Sequence, residues 1–308
     1  MAFDRHVGGV RRLIDGDGLS LSVVDMGEHA TPDGAESPRI VFVHGFPDTH
    51  AVWLPVMARL SGRFRCVAYD VRGAGQSGVP PSREGYRMVH LVNDLAAVLD
   101  AVSPERPVHL VGHDWGSVQS WEAVLSAESD PRLHGRIASY TTISGPSIGY
   151  LGAWMRTARH GSADRRRKVA VQAMHSWYVL AFQVPLLPEL ALRRLLRTPS
   201  AARRFLGSGH AARTVARDAV HGVGLYRANL GGVAGDQARL HTDLPVQLVV
   251  PLQDAFLTPA VYDDLPRYCS RLTRRDVDAG HWVQRSHPDE VAALVADFVT
   301  ASDSPNTP

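Results

Sequence analysis

An aspartate lies at the centre of the pentapeptide Gly112-His-Asp-Trp-Gly116. The apolar residues of the stretch 108–111 predict a buried strand before it, and the apolar spacing over 118–125 predicts a helix after it. A strand that passes directly into a helix, with a glycine two residues before and after the turn, is typical of a nucleophile elbow. The sequence therefore predicts that Asp114 is presented at a sharp turn.

A carboxylate at such a turn favours one kind of reaction. Aspartate has a reference pKa of about 3.9, so it is ionised at pH 7 and can attack without a general base. Attack on an acyl carbon would give a mixed anhydride, which stores more energy than the ester being cleaved. The productive target is an sp3 carbon with a leaving group, as in an epoxide or an alkyl halide. The structural alternative is that Asp114 caps the following helix.

Two further residues complete a catalytic order. Asp254 and His281 each follow a predicted strand, and the chain order Asp114, Asp254, His281 is that of nucleophile, acid and histidine. In this arrangement the acid orients the histidine, which activates water to hydrolyse the alkyl ester on the nucleophile. We therefore expect a covalent reaction in two steps.

Strands and helices alternate along the chain. Asp114, Asp254 and His281 each follow the carboxyl-terminal end of a predicted strand. The alternation predicts a mostly parallel sheet with helices on both faces, in which binding groups gather at the carboxyl ends of the strands. The predicted strands cover residues 10–14, 19–24, 40–43, 64–69, 108–111, 137–143, 246–250 and 271–277, and the main predicted helices cover 86–102, 115–125, 259–268 and 288–301.

The strand pattern stops between Gly149 and Arg239, where helical segments rich in alanine, leucine and arginine follow. We predict an α/β core formed by residues 1–148 and 240–301, with an inserted helical cap over residues 149–239. The polar residues 302–308 predict a disordered tail.

Composition limits the class of protein. The 308 residues are 44% hydrophobic and 21% charged, which is typical of a globular chain, and the net charge of +2 indicates no nucleic acid partner. The two cysteines, Cys66 and Cys269, suit a reducing cytoplasm. No signal-peptide core and no apolar run of about 20 residues are present, so we expect a soluble, cytoplasmic protein.

Four segments resemble the epoxide hydrolases of the α/β-hydrolase fold, and the likeness covers essentially the whole chain. They are His44-Gly-Phe-Pro-Asp48, Gly112-His-Asp-Trp-Gly116, Gln253-Asp-Ala-Phe256 and Ala279-Gly-His-Trp-Val-Gln284. The resemblance implies the α/β-hydrolase fold, a small-molecule epoxide as substrate, and no metal ion or organic cofactor.

The resemblance also assigns two tyrosines, which in this family project from the cap over the nucleophile. Segments 176–185 and 224–229 are similar to the two tyrosine motifs and place Tyr178 and Tyr226 in these roles. An epoxide opens to an alkoxide, a poor leaving group, so a proton donor must meet the oxygen as the bond breaks. A phenol with a pKa of about 10 can be that donor at neutral pH.

The remaining polar groups near the motifs are expected to support the site. The backbone N–H groups of Phe46 and Trp115 are expected to stabilise the oxyanion of ester hydrolysis. None of the nearby histidines and aspartates has metal-ligand spacing. Those interpreted as structural are His44 in the oxyanion loop, His113 beside the nucleophile, and Asp48 and Asp70 in turns.

Two other functions stay open. A haloalkane or haloacid dehalogenase would use the same nucleophile, but haloalkane dehalogenases often carry asparagine where this chain has Phe46. Haloacetate dehalogenases carry arginines where it has Trp115, Gly116 and Ser117. A non-enzymatic hydrolase-fold protein could bind a ligand through the cap, although every group that catalysis requires is present.

The predicted cap is rich in arginine. A solvated helical face is the default interpretation. The alternative is peripheral contact with an anionic membrane that supplies lipid epoxides, with Trp154, Leu186, Leu187 and Leu192 entering the interface. The basic residues are Arg156, Arg159, Arg165, Arg166, Arg167, Lys168, Arg193, Arg194, Arg197, Arg203 and Arg204.

Two details depart from the commonest pattern of the family. Ser117 stands where a second glycine is common, and Pro251-Leu252 replaces the more usual Trp-Gly before the acid. Both details resemble a bacterial subgroup in which an epoxide-hydrolase domain is fused to a short-chain dehydrogenase domain. We therefore expect either a stand-alone relative or the N-terminal part of such a fusion.

Overall fold

A computed structural model describes residues 9–27, 36–207, 213–230 and 240–303, and its centre is one eight-stranded sheet. The strands are β1 (Val10–Asp15), β2 (Ser20–Met26), β3 (Arg39–Val43), β4 (Arg65–Tyr69), β5 (Val108–His113), β6 (Ile137–Ile143), β7 (Thr242–Pro251) and β8 (Cys269–Val277). Their order is β1-β2-β4-β3-β5-β6-β7-β8. The pairs β1–β2 and β2–β4 are antiparallel and all other pairs are parallel, which confirms the mostly parallel sheet.

Helices cover both faces of the sheet, as predicted. They are α1 (Leu54–Leu60), α2 (Met88–Val102), α3 (Trp115–Ser126), α4 (Ile148–Arg156), α5 (Ala163–His175), α6 (Trp177–Ala181), α7 (Leu187–Leu195), α8 (Pro199–Leu206), α9 (Val215–Asn229), α10 (Val283–Ser286) and α11 (Pro288–Asp303). Successive side chains of a strand point to opposite faces. In β3, Val41 and Val43 pack in one buried cluster with α2 and α3, whereas Ile40 and Phe42 pack in another with α1 and α11.

Helices α4 to α9 follow β6 and precede β7. A separate apolar cluster holds α7, α8 and α9 together, and the rings of Phe46 and Trp282 pack against it from the loops after β3 and β8. Parts of the predicted cap, residues 208–212 and 231–239 and the side chain of Arg159, lie outside the described residues.

Two segments differ from their sequence-based predictions. The helix expected over 259–268 is instead two short 3-10 turns, Pro259–Tyr262 and Leu265–Arg267. Pro266 explains the break, because proline lacks the N–H that a continuous helix would use and its ring clashes with the preceding turn. Helix α11 continues to Asp303, so the first two residues of the predicted disordered tail are helical; residues 304–308 lie outside the described residues.

The apolar neighbours named for a membrane interface divide into two groups. Leu186 and Leu187 are exposed, but Trp154 and Leu192 are buried and cannot enter an interface. Trp154 instead packs under the guanidinium of Arg165.

Candidate active site

Asp114 lies at the turn from β5 into α3, with φ 54° and ψ −125°. A non-glycine residue in such a region costs on the order of 1–3 kcal/mol and persists only where its surroundings fix the backbone. At Gly112 and Gly116 an added Cβ would collide with backbone atoms, which at Gly116 include the carbonyl oxygen of Val43. The side chain of Asp114 makes no capping hydrogen bond to α3, so Asp114 does not serve as the side-chain cap of this helix.

The two oxygens of the Asp114 carboxylate have different surroundings. The N–H of Phe46 donates to Oδ1 at 2.6 Å, and Oδ2 lies 3.6 Å from Nε2 of His281. Gly45 permits this approach, because a Cβ there would collide with the carboxylate. Trp115 is the first residue of α3, and helix N-termini leave such N–H groups without a partner inside the helix. Oδ1 is therefore held by a donor, while Oδ2 is the oxygen nearer the histidine.

Asp254, in the loop after β7, fixes the orientation of His281. Nδ1 of His281 donates to Oδ2 of Asp254 at 2.9 Å. The other oxygen of Asp254 accepts the N–H of Phe256 at 2.8 Å and that of Leu257 at 3.1 Å. Both side chains are buried. Because Nδ1 is engaged, Nε2 is the nitrogen available to act beside Asp114.

The charges of these three side chains are coupled. Burial alone would lower the pKa of His281, but the carboxylates of Asp254 and Asp114 outweigh burial and raise that pKa to about 10. Burial would raise the pKa of Asp254, yet the charge and hydrogen bond of His281 hold it below its ordinary value. At neutral pH the site therefore contains an imidazolium between two carboxylates.

Tyr178 on α6 and Tyr226 on α9 lie side by side, with ring centroids 5.9 Å apart. Their rings meet nearly edge-on, at 78°, and the indole ring of Trp115 packs edge-on against Tyr226 with ring centroids 4.9 Å apart. Burial, together with the charge of Asp114, raises the pKa of both phenols. Both hydroxyl groups are therefore protonated at neutral pH and can act as acids.

One cavity of 680 Å³ brings the predicted groups together. Asp114, His281, Tyr178, Tyr226 and Phe46 line it, while Asp254 acts on it through His281. Most of the remaining wall comes from residues 174–206 and is apolar, with leucine the most frequent side chain. A mostly apolar cavity with a few convergent polar groups suits an apolar molecule that carries one reactive polar centre.

Phe256 and Trp282 belong to the site, although the sequence assigned them no role. The rings of both pack edge-on against the imidazole of His281, with centroids 4.8 and 4.9 Å from it. The indole N–H of Trp282 donates to Oδ2 of Asp48 at 2.8 Å, so Asp48 does more than form a turn. Position in the sequence could have identified both aromatic residues, because each lies within two positions of Asp254 or His281.

The other polar residues named from the sequence are buried and hydrogen bonded. Nε2 of His113 donates to the carbonyl oxygen of His281 at 2.9 Å, and burial lowers the pKa of His113 to about 4, so this imidazole is neutral. Nδ1 of His44 donates to the carbonyl oxygen of Gly45 at 2.9 Å. Asp70 accepts two backbone N–H groups of neighbouring loops. These contacts position the loops around the cavity.

Within the described ranges, no group of three or more histidine, cysteine, aspartate or glutamate side chains is arranged to hold a metal ion. No helix in the same ranges has both the length and the apolar character needed to cross a bilayer.

The chain is similar to proteins of known family. The α/β-hydrolase fold family matches residues 38–288. The probable oxidoreductase EphD of Mycobacterium tuberculosis is 38% identical over 306 residues, which cover 95% of this chain and 50% of that protein. The chain thus spans about half the length of the first curated relatives it matches. Epoxide hydrolase A of the same species is 28% identical, covering 94% of this chain and 97% of that protein.

Solved structures show the same fold. An epoxide hydrolase of Bacillus megaterium, in complex with an inhibitor, aligns with a TM-score of 0.72 at 21% identity, over 94% of this chain and 100% of that chain. An epoxide hydrolase of Vigna radiata aligns with a TM-score of 0.72 at 21% identity, over 96% and 98% of the two chains. Because the family match covers most of the sequence and the fold agrees with it, this chain belongs to the α/β-hydrolase fold family.

Proposed function

We propose that this protein is an epoxide hydrolase, which converts an epoxide and water into a vicinal diol. One observation carries the proposal: a single cavity presents the carboxylate of Asp114 together with the protonated phenols of Tyr178 and Tyr226. An epoxide needs both, because a nucleophile must reach a ring carbon while an acid meets the ring oxygen. The similarity to Epoxide hydrolase A supports the same assignment.

In the first step Oδ2 of Asp114 attacks a ring carbon, since Oδ1 is held by the N–H of Phe46. The new carbon–oxygen bond forms as the ring carbon–oxygen bond breaks. The departing oxygen takes a proton from Tyr178 or Tyr226, both of which line the cavity, and that tyrosine becomes a phenolate. The product is an alkyl ester of Asp114 that carries a free hydroxyl group.

In the second step water hydrolyses this ester. His281, oriented by Asp254, takes a proton from water, and the resulting hydroxide attacks the carboxyl carbon of Asp114. The N–H groups of Phe46 and Trp115 hold the oxyanion, and donors of this kind contribute about 100- to 1000-fold to the rate. The imidazolium then protonates the departing diol oxygen. The carboxylic acid of Asp114 formed in this step gives its proton back to His281, which restores the carboxylate and the imidazolium of the free enzyme.

The charge of Asp114 couples the two steps. In the free enzyme the carboxylate of Asp114 helps to raise the pKa of His281 to about 10, which keeps the imidazole protonated. Esterification removes that charge, so the pKa of His281 falls. The imidazolium then loses its proton to the phenolate formed in the first step, which restores the phenol and leaves the imidazole as a base when a base is required. His281 is therefore inactive as a base until the covalent intermediate exists.

A His281→Gln variant tests the covalent step. It should attack an epoxide but fail to hydrolyse the ester, so mass spectrometry of the intact protein should show a gain of one epoxide mass on Asp114. Asp114→Ala is the control and should stay unmodified. An unmodified His281→Gln protein after prolonged exposure would refute covalent catalysis.

A panel of terminal, internal and aromatic epoxides, with haloalkanes for comparison, separates diol formation from halide release.

The same proposal extends to organisation and partners. Residues 149–239 act as a cap that supplies both tyrosines to a core formed by residues 1–148 and 240–301. The partner at the site is a small-molecule epoxide, and the arginine-rich cap makes peripheral contact with anionic membranes. A cytoplasmic location suits the buried, unpaired thiols of Cys66 and Cys269.

A further inference from the structure

An unusual apolar surface lies on α5, α6 and α7, and we name it the apolar ridge. Its six side chains are between 62% and 75% exposed: Met174, Trp177, Leu180, Leu186, Leu187 and Leu190. Among the other described residues, Leu13 is the one large apolar side chain in this range of exposure. Single exposed apolar residues are ordinary on a protein surface, but a cluster within one short segment marks an interaction site.

The apolar ridge shares three of its six side chains with the wall of the catalytic cavity. Met174, Trp177 and Leu187 line the cavity that contains Asp114 and are also exposed on the ridge. The same side chains therefore form part of the cavity wall and part of the outer surface. A molecule that enters past them reaches the nucleophile through an apolar passage.

Leu186 adds an observation that is independent of exposure. It is 71% exposed, and its backbone has φ 64°, a left-handed conformation that favours glycine or asparagine. A bulky apolar side chain gains nothing from water at such a position. The strained backbone instead holds the leucine outward, at the start of α7.

Positive charge borders the apolar ridge. Arg193 and Arg194 lie on α7, and further arginines follow on the adjoining segment; the five exposed side chains are Arg193, Arg194, Arg197, Arg203 and Arg204. Between residues 174 and 206 the sequence contains a single acidic residue, Glu189. Glu189 is paired with Arg227 on α9 at 2.5 Å, so it does not neutralise this border.

We propose that the apolar ridge inserts into an anionic lipid bilayer, so that epoxides dissolved in the lipid pass from the bilayer into the catalytic cavity. Exposed leucine and tryptophan side chains beside arginines match the apolar interior and anionic headgroups of such a surface. A second copy of the chain fits less well, because a two-fold interface through this surface would bring the same arginines face to face. The substrate class rests on the proposed epoxide hydrolysis, whereas the docking does not.

Co-sedimentation with vesicles tests the docking. We expect the wild-type protein to sediment with vesicles of equal parts phosphatidylglycerol and phosphatidylcholine, and less with pure phosphatidylcholine or at high salt. The ridge variant combines Leu180→Gln, Leu186→Asn and Leu190→Gln. Glutamine suits the helical backbone at positions 180 and 190, and asparagine suits the left-handed backbone at position 186. None of the three residues lines the cavity. It should bind about tenfold more weakly for each leucine that enters the lipid. Arg194→Glu with Arg197→Glu should weaken binding about fivefold for each arginine.

Matched variants elsewhere on the surface provide the control. Leu13→Thr with Val89→Gln removes two exposed apolar side chains, and Arg271→Glu with Arg275→Glu makes the same charge change on β8. Both should bind vesicles as the wild type does. Equal loss of binding in these controls would overturn the assignment to the ridge.

Activity separates failure of the docking from failure of the proposed function. The ridge variant should hydrolyse a water-soluble epoxide without vesicles at the wild-type rate, but should lose activity on a long-chain epoxide embedded in anionic vesicles. A wild-type protein that stays in the supernatant would overturn the docking even if it forms diols. Sedimentation equilibrium that shows a wild-type dimer and a monomeric ridge variant would also overturn it, in favour of a second copy.

Discussion

Asp114 and Asp254 flank His281, and their charges raise the pKa of its imidazole to about 10 although burial would lower it. An Asp114→Asn variant keeps the shape of the side chain and removes one charge, so the pKa of His281 should fall toward the ordinary histidine value of about 6.5. An NMR titration of the His281 imidazole measures this change. Asp243→Asn, which removes an exposed carboxylate on β7, is the control and should leave the titration unchanged. An unchanged titration in Asp114→Asn would show that Asp114 does not govern the histidine.

Tyr178 and Tyr226 lie side by side on the cavity wall, so in the proposed mechanism each can partly replace the other as proton donor. Single phenylalanine variants should therefore be less impaired than Tyr178→Phe with Tyr226→Phe. The double variant should lose about 100- to 10,000-fold in kcat/KM for an epoxide, the usual contribution of general acid catalysis. Tyr268→Phe is the control, because Tyr268 packs on Tyr150 away from the cavity. A double variant with wild-type kcat/KM would remove the tyrosines from the reaction.

Sequence reasoning reached some site residues more directly than others. The types and order of Asp114, Asp254 and His281 predicted a chemistry, because parallel strands bring their carboxyl ends to one edge of the sheet. The tyrosines came only from family resemblance, since a phenol on a cap helix has no spacing that separates catalysis from packing. The hydrogen bond from Trp282 to Asp48 could not be predicted, because it depends on how two separate loops meet in space.

At the scale of elements, periodicity predicted the strands and their mostly parallel order, because buried strands form short apolar runs between helices. It failed over 259–268, where Pro266 divides an apparently helical segment into two turns. It also missed the true extent of β8, which begins at Cys269 and carries exposed polar residues at the edge of the sheet. Edge strands are half exposed, so their apolar pattern is weaker.

The approach of α3 to β3 gives a prediction about an element. At Gly116 a Cβ would collide with the carbonyl oxygens of Val43 and His44, which are backbone atoms that cannot rotate away. Gly116→Ala should therefore move α3 outward and lower the free energy of unfolding by about 1–3 kcal/mol, the usual effect of overpacking. Urea denaturation measures this change. Gly62→Ala is the control, because a Cβ at Gly62 meets no atom within 4 Å. Equal stability of the two variants would contradict the packing argument.

At the scale of the whole molecule, the sequence predicted a helical insertion but not how its charges are used. Arg165 and Lys168, counted as part of a basic cap face, pair with Asp264 and Asp263 in the segment between β7 and β8. Those two cations therefore join the helical insertion to the α/β core and do not form a free basic face. Pairings across separate parts of the chain follow from the packed structure, which composition does not encode.

The raised pKa of His281 also makes the stability of the whole molecule depend on pH. A histidine whose pKa is about 10 in the folded state and about 6.5 in the unfolded state binds more protons when folded between these values. Its contribution to the free energy of unfolding is complete below about pH 6.5 and is lost as pH rises toward 10.

We therefore expect the stability difference between wild type and His281→Gln to be largest below pH 6.5 and to shrink steadily toward pH 10. Urea denaturation at a series of pH values measures it, and taking the difference removes groups that titrate equally in both proteins. The variant His134→Gln, which replaces an exposed histidine, is the control and should give a far smaller pH-dependent difference. A difference that grows with pH would reverse the sign of the argument and show that His281 is neutral in the free protein.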